Sequence, residues 1–370
     1  MSDVARFDNW LMTDTVAALV IREFLEPVEG PDGVIFPATY APAEDKKVFP
    51  GGYNIDPPDG ERNVCLVDSV GSQANRIEPI FAKPDYAHLV PQIFVKAGEK
   101  SVSILEAGHR AGDALVRCTP LQKELQDAFK AVLKGNAEPL AKIAPTSLVF
   151  GVWDSRDTQA KLPRLIASTI RAFDVKRLKR SAQYNPSTDY IGDKLLEDTT
   201  DAKLKDAYAE RGFVHVPATG SHGGVIATGG VRRDATLSLA ALRLLAVGGD
   251  AAKTLDLRRY ILGLSLVAFT SNASTYLRQG CNLVPSEKPR EFQLVHSDGK
   301  REPQKLTHAD VLTFATAAAT AFKVATERRE VVFDPKLALA DIKGEGDVKG
   351  TRKKPAKKTD TSAAVQEDNG

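Results

Sequence analysis

From Val16 to Val28 the run VAALVIREFLEPV crowds apolar and β-branched residues, and the turn signal EGPDG separates it from GVIFPATYA. That pattern predicts two paired strands, with a helix as the competing reading of the first. Ala41 to Arg62 is rich in proline, glycine and charge, the composition of a long surface loop. In CLVDSVGSQANRIEPIF, Val70, Ala74, Ile77 and Phe81 recur at helical spacing. They predict a helix from about Ser69 with Ser69, Ser72, Gln73 and Arg76 on its polar side. Pro79, which has no backbone donor, should kink or end it.

PQIFVKAG and KSVSILEAG read as a short hairpin, and PLQKELQDAFKAVLKG as a helix with Pro120 near its first turn and Gly135 at its exit. TSLVFGVW is too apolar to have a wet side, which predicts a central strand. LIASTIRAF reads as another strand. Leu165, Ala167, Thr169, Arg171 and Phe173 share one face of it; Ile166, Ile170 and Ala172 share the other.

Asn185 to Arg211 is polar and acidic with one helical period, an insertion projecting from a sheet. The glycine-rich GSHGGVIATGGVRR is expected as a loop that runs into a helix near Asp234. LDLRRYILGLSLVAFT predicts a second apolar helix, REFQLVHSDGKRE a strand and turn, and Thr307 with Asp310 a capping box for a last helix. Beyond Lys343 there is scarcely an apolar residue, so 344–370 is expected to be a disordered charged tail. This order of elements predicts an α+β fold with large insertions and suits a ferredoxin-like core.

Composition narrows the function classes. The chain has 370 residues, 42% of them apolar, enough for a large core. Its formal charge is only +2, so any polyanionic partner must be met by local clustering. Such clusters exist: Lys and Arg crowd 156–180 and 352–358, while acids gather in 197–210 and at the end. Cys65, Cys118 and Cys281 are odd in number and far apart, the pattern of buried thiols rather than a disulfide framework or zinc knuckle. The opening MSDVARFDNW lacks the order of a signal peptide and no run reaches membrane-spanning length, which predicts a cytoplasmic protein without a membrane partner.

The stretch from Arg156 to Arg180 holds the densest positive charge. Arg156, Lys161 and Arg164 sit in or beside a loop before the strand, with Arg171 and Arg177 after it. Phosphates could run along them, and Phe173 offers a ring for base stacking. The plain alternative is a solvated charged edge that blocks aggregation. Ser69 and Ser72 at a helix start make a seat for an oxyanion, although an ordinary capped helix carries the same residues.

GSHGGVIATGGVRRDAT fails as a P-loop, because Val231 and Arg232 follow its second glycine pair, and no GxSxG accompanies HGG. Its glycines would let main chain approach another backbone, with Arg232 and Arg233 at a helix start. The six histidines show no metal-ligand spacing, so no metal or other cofactor is expected. Asp154 and Asp157 are a carboxylate pair that could hold magnesium; pairing with neighbouring cations is the plainer reading.

DSVGSQANRIEPIF, FGVWDSRDTQAKLPRLIASTIRAFDV and GGVRRDATLSLAAL resemble the backbone subunit of type I-G (formerly I-U) CRISPR effector complexes. That is a Csb-type member of the RAMP superfamily and of the Cas-seven family, and the resemblance runs from about Leu19 to Glu327. It implies an RNA-recognition-like palm spanning 1–343, with a thumb-type insertion around 183–233 and finger or web elements. Copies would stack head to tail along the CRISPR RNA and present it for pairing with target DNA, beside a large subunit and a Cas-five- or Cas-six-type subunit. The RNA contacts it implies are Ser72, Gln73 and Arg76 on the helix, Arg156, Gln159, Lys161 and Arg164 in the central loop, and His222, Arg232 and Arg233 near the thumb base.

The role so implied is structural and noncatalytic. The alternative is a metal-dependent ribonuclease of the kind found among type III backbone subunits, with Asp68, Asp154 or Asp157 as its carboxylate.

Overall fold

Leu19, Ile21, Glu23 and Leu25 are buried while Arg22 faces out, and that period of two makes Val16–Pro27 a strand, β1, rather than a helix. The computed structural model describes residues 3–57, 62–271 and 275–343; the expected tail at 344–370 lies outside the described residues. Seven further strands carry the architecture. They are β2 (Val64–Asp68), β3 (Ile166–Phe173), β4 (Val175–Tyr184), β5 (Val216–Ala227), β6 (Val231–Ser238), β7 (Cys281–Pro285) and β8 (Glu291–His296).

The fold is α+β around an antiparallel sheet in the order β8-β1-β6-β3-β2, with β7 on the far end of β1. In chain order β1, β3, β6 and β8 are first to fourth, so their spatial order is 4-1-3-2. β1 and β3 run parallel with β6 antiparallel between them, a split β-α-β arrangement. The helices that feed apolar side chains into the core include α1 (Val70–Ile77), α2 (Gln122–Leu133), α3 (Ala251–Thr270) and α4 (His308–Ala321). Asp250 caps α3 and Thr307 caps α4, each accepting from a backbone amide in the first turn. The two helices pack so closely that a Cβ on Gly263 would lie 2.9 Å from Ala315 Cα.

Odd-numbered residues of β1 and β6 and even-numbered residues of β3 point to the helical side, into one large core. At the other end of the sheet the same side is filled by a second cluster that includes Cys65, Val67, Ile170, Leu277 and Cys281. There the sheet curls until Arg278, in the short strand beside β7, donates to Val67 O and to Asp68 on β2. All three cysteines are buried, and burial pushes the Cys65 thiol up to about 12 and Cys281 up to about 11. Among the described residues no helix lies across the opposite face of the central sheet, whose side chains, Thr169 apart, include half-buried and exposed ones.

β4 and β5 form a two-stranded ribbon outside the sheet. Its root is anchored by buried Val175, Val225 and Ala227, while Lys176, Arg177 and the side chains of β4 from Lys179 outward are exposed. Between the strands, residues 185–215 carry the helix Ala202–Glu210, capped by Asp201.

The structure corrects several sequence expectations. TSLVFGVW is not a strand: Thr146–Phe150 is a helical turn buried on every side, followed by the short strand Val152–Trp153. A run buried all round has no period to read. GVIFPATYA does not pair with β1; Ile35 bridges Val225, and Thr39–Tyr40 pairs with Gly52–Tyr53. The expected loop from Ala41 contains buried Tyr53 and Ile55, and its residues 58–61 lie outside the described residues. The glycine-rich segment is mostly β5 and β6, and the helix after it starts at Leu239 with Ser238 as cap. Asp234 is therefore mid-strand, not a cap. Among the described residues no helix is long and apolar enough to cross a membrane.

Candidate nucleic-acid interface

Ser69 caps α1 by accepting from Ser72 N, and the helix stops at Ile77, just ahead of Pro79. Across from its first turn, Val152–Trp153 pairs with Lys161–Leu162 as a small hairpin. Asp154 ties the turn by accepting from the amides of Asp157 and Thr158 and from Thr158 Oγ1. Between helix and hairpin lies a groove of about 450 Å³ whose walls include Gly71, Asn75, Trp153, Lys161 and Arg164. Its inner wall is Arg110, which donates to Gly151 O at 3.2 Å and Asn75 Oδ1 at 3.0 Å and pairs with Glu78 at 2.5 Å. Desolvation lowers the Arg110 pKa, and burial pushes the Glu78 carboxyl up to about 7 despite the guanidinium beside it.

Trp153 is 57% exposed, with the Lys161 ammonium 5.6 Å from its ring centroid. Gly151, at φ +77°, lets Arg164 lie along the chain; a Cβ there would sit 2.8 Å from Arg164 Cγ. Among the described residues neither Lys161 nor Arg164 has a carboxylate partner, and the groove walls contain no Asp or Glu.

Beside this groove the buried Asp68 carboxylate gathers four donors. Ser72 Oγ stands at 2.8 Å, Gln73 Nε2 at 2.6 Å, Arg76 Nε at 3.2 Å and Arg278 Nη2 at 2.9 Å. Gln73 is itself buried and accepts from Ser168 Oγ at 3.1 Å, so it supports the cluster and does not face a ligand. Arg76 and Arg278 keep 30% and 25% of their side chains exposed, with donors beyond those Asp68 uses.

On the open face of the sheet, Phe24, Arg232 and Arg171 stand in one row across β1, β6 and β3. Two guanidiniums directly opposite each other repel unless an anion lies nearby. Asp234 serves Arg232 at 3.0 Å and Arg22 at 3.8 Å. Arg171 donates to Thr169 Oγ1 at 2.5 Å and, among the described residues, has no carboxylate. Arg232 lies 4.7 Å over the Phe173 ring and Lys288 lies 4.9 Å over Phe24; both pairs border a cleft of about 240 Å³.

The sequence-predicted residues therefore fall into separate patches. Lys161 and Arg164 line the groove opposite Gly71 and Asn75 of α1, and Ser72 and Arg76 stand beside it on Asp68. Arg156 and Gln159 are exposed at the hairpin tip, where Gln159 adopts φ +60°. Arg171 and Arg232 share the open face. Arg177 is on the ribbon, and His222 packs on Tyr53 at the ribbon root, ring centroids 4.8 Å apart. Arg233 is a correction: its side chain is 2% exposed and pairs with Glu23 at 2.6 Å inside the core. Adjacent strand residues face opposite ways, so Arg232 and Arg233 cannot share a surface.

Sequence reasoning missed Trp153, Arg278, Arg22 and the Phe24–Lys288 pair. Of these, Trp153 carried a signal, as an aromatic two positions past a glycine and just before a polar turn. Asp154 is buried in its turn, and Asp157 accepts from Gln126 at 3.0 Å. Among the described residues no three His, Cys, Asp or Glu side chains converge on a point where a metal ion could bind.

A family model described as CRISPR-associated protein GSU0053 matches residues 19–177. The match covers β1 through β3, α1 and the whole groove, and leaves His222, Arg232 and Arg233 outside it. No curated protein matches the chain.

Proposed function

We propose, from the match of residues 19–177 to a family model described as CRISPR-associated protein GSU0053, that the chain is a Cas-seven-type, guide-RNA-binding backbone subunit of a type I-G effector complex. In this reading its copies repeat head to tail along the CRISPR RNA. They hold the ribose-phosphate chain and leave bases free for target DNA, and the large and Cas-five- or Cas-six-type subunits complete the assembly. The 4-1-3-2 sheet with one open face supports describing it as an RNA-recognition-like palm, with the β4–β5 ribbon in the position of a thumb.

The observation that carries the proposal is a set of cations without carboxylate partners among the described residues, Lys161, Arg164 and Arg171, on surfaces that also present aromatic rings. A subunit that accepts any spacer needs backbone contacts rather than base-edge readers. The noncatalytic part of the proposal is supported by the carboxylates themselves. Asp68 is saturated by four donors, and Asp154 is consumed by its own turn.

Fluorescence anisotropy with two labelled RNAs of unrelated sequence, over a salt series, tests this. Binding should weaken linearly in log salt, and Arg164→Ala and Arg171→Ala should each lower the slope by about 1, equally for both RNAs. No RNA affinity at low salt, or losses confined to one sequence, would refute it.

A further inference from the structure

Tryptophan is a residue that folded chains usually hide, yet Trp153 presents more than half of its surface to solvent. It is also held still. The strand pair Val152↔Leu162 and Trp153↔Lys161 fixes its backbone, Asp154 locks the turn after it, and Gly112 lets a neighbouring segment pass so close that a Cβ would lie 3.1 Å from Trp153 O. An exposed indole on a fixed backbone at the mouth of a groove, with two cations nearby that lack carboxylate partners among the described residues, matches one ligand chemistry: a flat apolar ring attached to an anion. Simple lipid head groups and acidic peptides offer the anion without the ring.

We propose that this groove is a stacking subsite for one nucleotide of a single strand, with the base on the Trp153 indole and the adjoining phosphate between Lys161 and Arg164. The inference rests on the function proposed above and adds to it a contact that salt does not screen. Stacking is tolerant of sequence, because every base has a π-face. The groove therefore grips without reading letters. Arg110 is a positioning residue here: it ties Asn75 on the helix to Gly151 beside Arg164 and so fixes the width of the cleft. Ser69 already occupies the α1 cap, so the phosphate seat belongs to the two side chains and not to the helix end.

The chain has two tryptophans, and the other, Trp10, is buried against Phe7. Its emission serves as an internal reference. In titrations of the full chain with oligouridylate and with oligothymidylate of equal length, the solvent-exposed emission component should be quenched on binding. Trp153→Ala should weaken affinity about 5- to 150-fold without changing the salt slope, and Trp153→Phe should recover most of the loss. Lys161→Ala should do the reverse, lowering the slope. Preference for the uridylate assigns the subsite to RNA, and preference for the thymidylate assigns it to a DNA strand; either supports the proposal.

Quenching that is absent at saturation, or a Trp153→Ala variant that binds as tightly as the parent, overturns the subsite while leaving the RNA-binding role intact. A variant altered in self-association alone also overturns it, because Trp153 would then be a contact between copies. A parent chain with no nucleic-acid affinity overturns the role itself.

Discussion

Arg278 Nη2 lies 2.9 Å from Asp68 Oδ1, and this contact, together with Arg278 Nη1 on Val67 O, closes the curl of the sheet by joining a strand near one edge to a strand near the other. The carboxylate is fully buried, so it depends on the donors around it. Removing one partner of a buried pair costs about 3–5 kcal/mol, because a charge is left unmatched. Asp68→Ala should therefore lower unfolding free energy in urea by about that amount, and Arg278→Ala, being partly solvated, by less. Equal and negligible losses would mean that the contact does not hold the curl.

Arg233 and Arg232 offer a contrast within one dipeptide. Arg233→Ala leaves Glu23 in the core with Arg290 as its remaining cation and opens a cavity where the buried guanidinium lay, and should cost up to about 3 kcal/mol of stability. Arg232→Ala should cost little stability and should weaken RNA binding. Paired melts and binding isotherms read the two effects separately. An Arg233 variant that melts like the parent would contradict its burial.

Glu78 sets a pH dependence. Its folded pKa, about 7, is above the ordinary carboxyl value because burial disfavours the charge. Its contribution to stability is therefore complete below the unfolded pKa, near 4.5, and is lost as pH rises through about 7. Relative to Glu78→Gln, the parent should lose up to about 3 kcal/mol between pH 5 and pH 8. Urea titrations of both across that window check the sign; parallel profiles would refute it.

Gly151 couples backbone to binding. At φ +77° a side chain is strained, and Gly151→Ala would also push a methyl into Arg164. The substitution should cost about 1 kcal/mol or more in stability. It should also weaken RNA affinity through a displaced guanidinium, as melts and anisotropy would show together.

Much of the fold was legible because its signals are local. The alternation in LIASTIRAF gives both faces of β3 from Ile166 to Phe173, although Leu165, expected beside Arg171, is buried in the core just ahead of the strand; Ser69, Thr307 and Gly135 mark helix ends through chemistry that acts within one turn. What was hidden depends on distant contacts. Thr146–Phe150 is buried on all sides, so its helical period leaves no trace in polarity. The glycines of β5 and of the turn before β6 suggest a loop until the pairing of β5 with β4, and of β6 with β1 and β3, is known.

The candidate site divides the same way. Lys161 and Arg164 stand out by charge, but their meeting with α1 needs the chain from 77 to 151 to fold back. Trp153 was masked by the apolar run before it. Helical spacing puts Gln73 on the polar face of α1, and the Asp68 and Ser168 groups that enclose it come from β2 and β3.

The ribbon of β4 and β5 is a lever. Its packing includes the root at Val175, Val225 and Ala227, with Asn63, Ile35 and Tyr53 against it, and ten residues of β4 reach outward by about 30 Å. A tilt of roughly 10° there sweeps the far end through about 5 Å, more than the ~3.4 Å between successive stacked bases on one strand. Small adjustments at the root are thus geared up to the step size of a nucleotide.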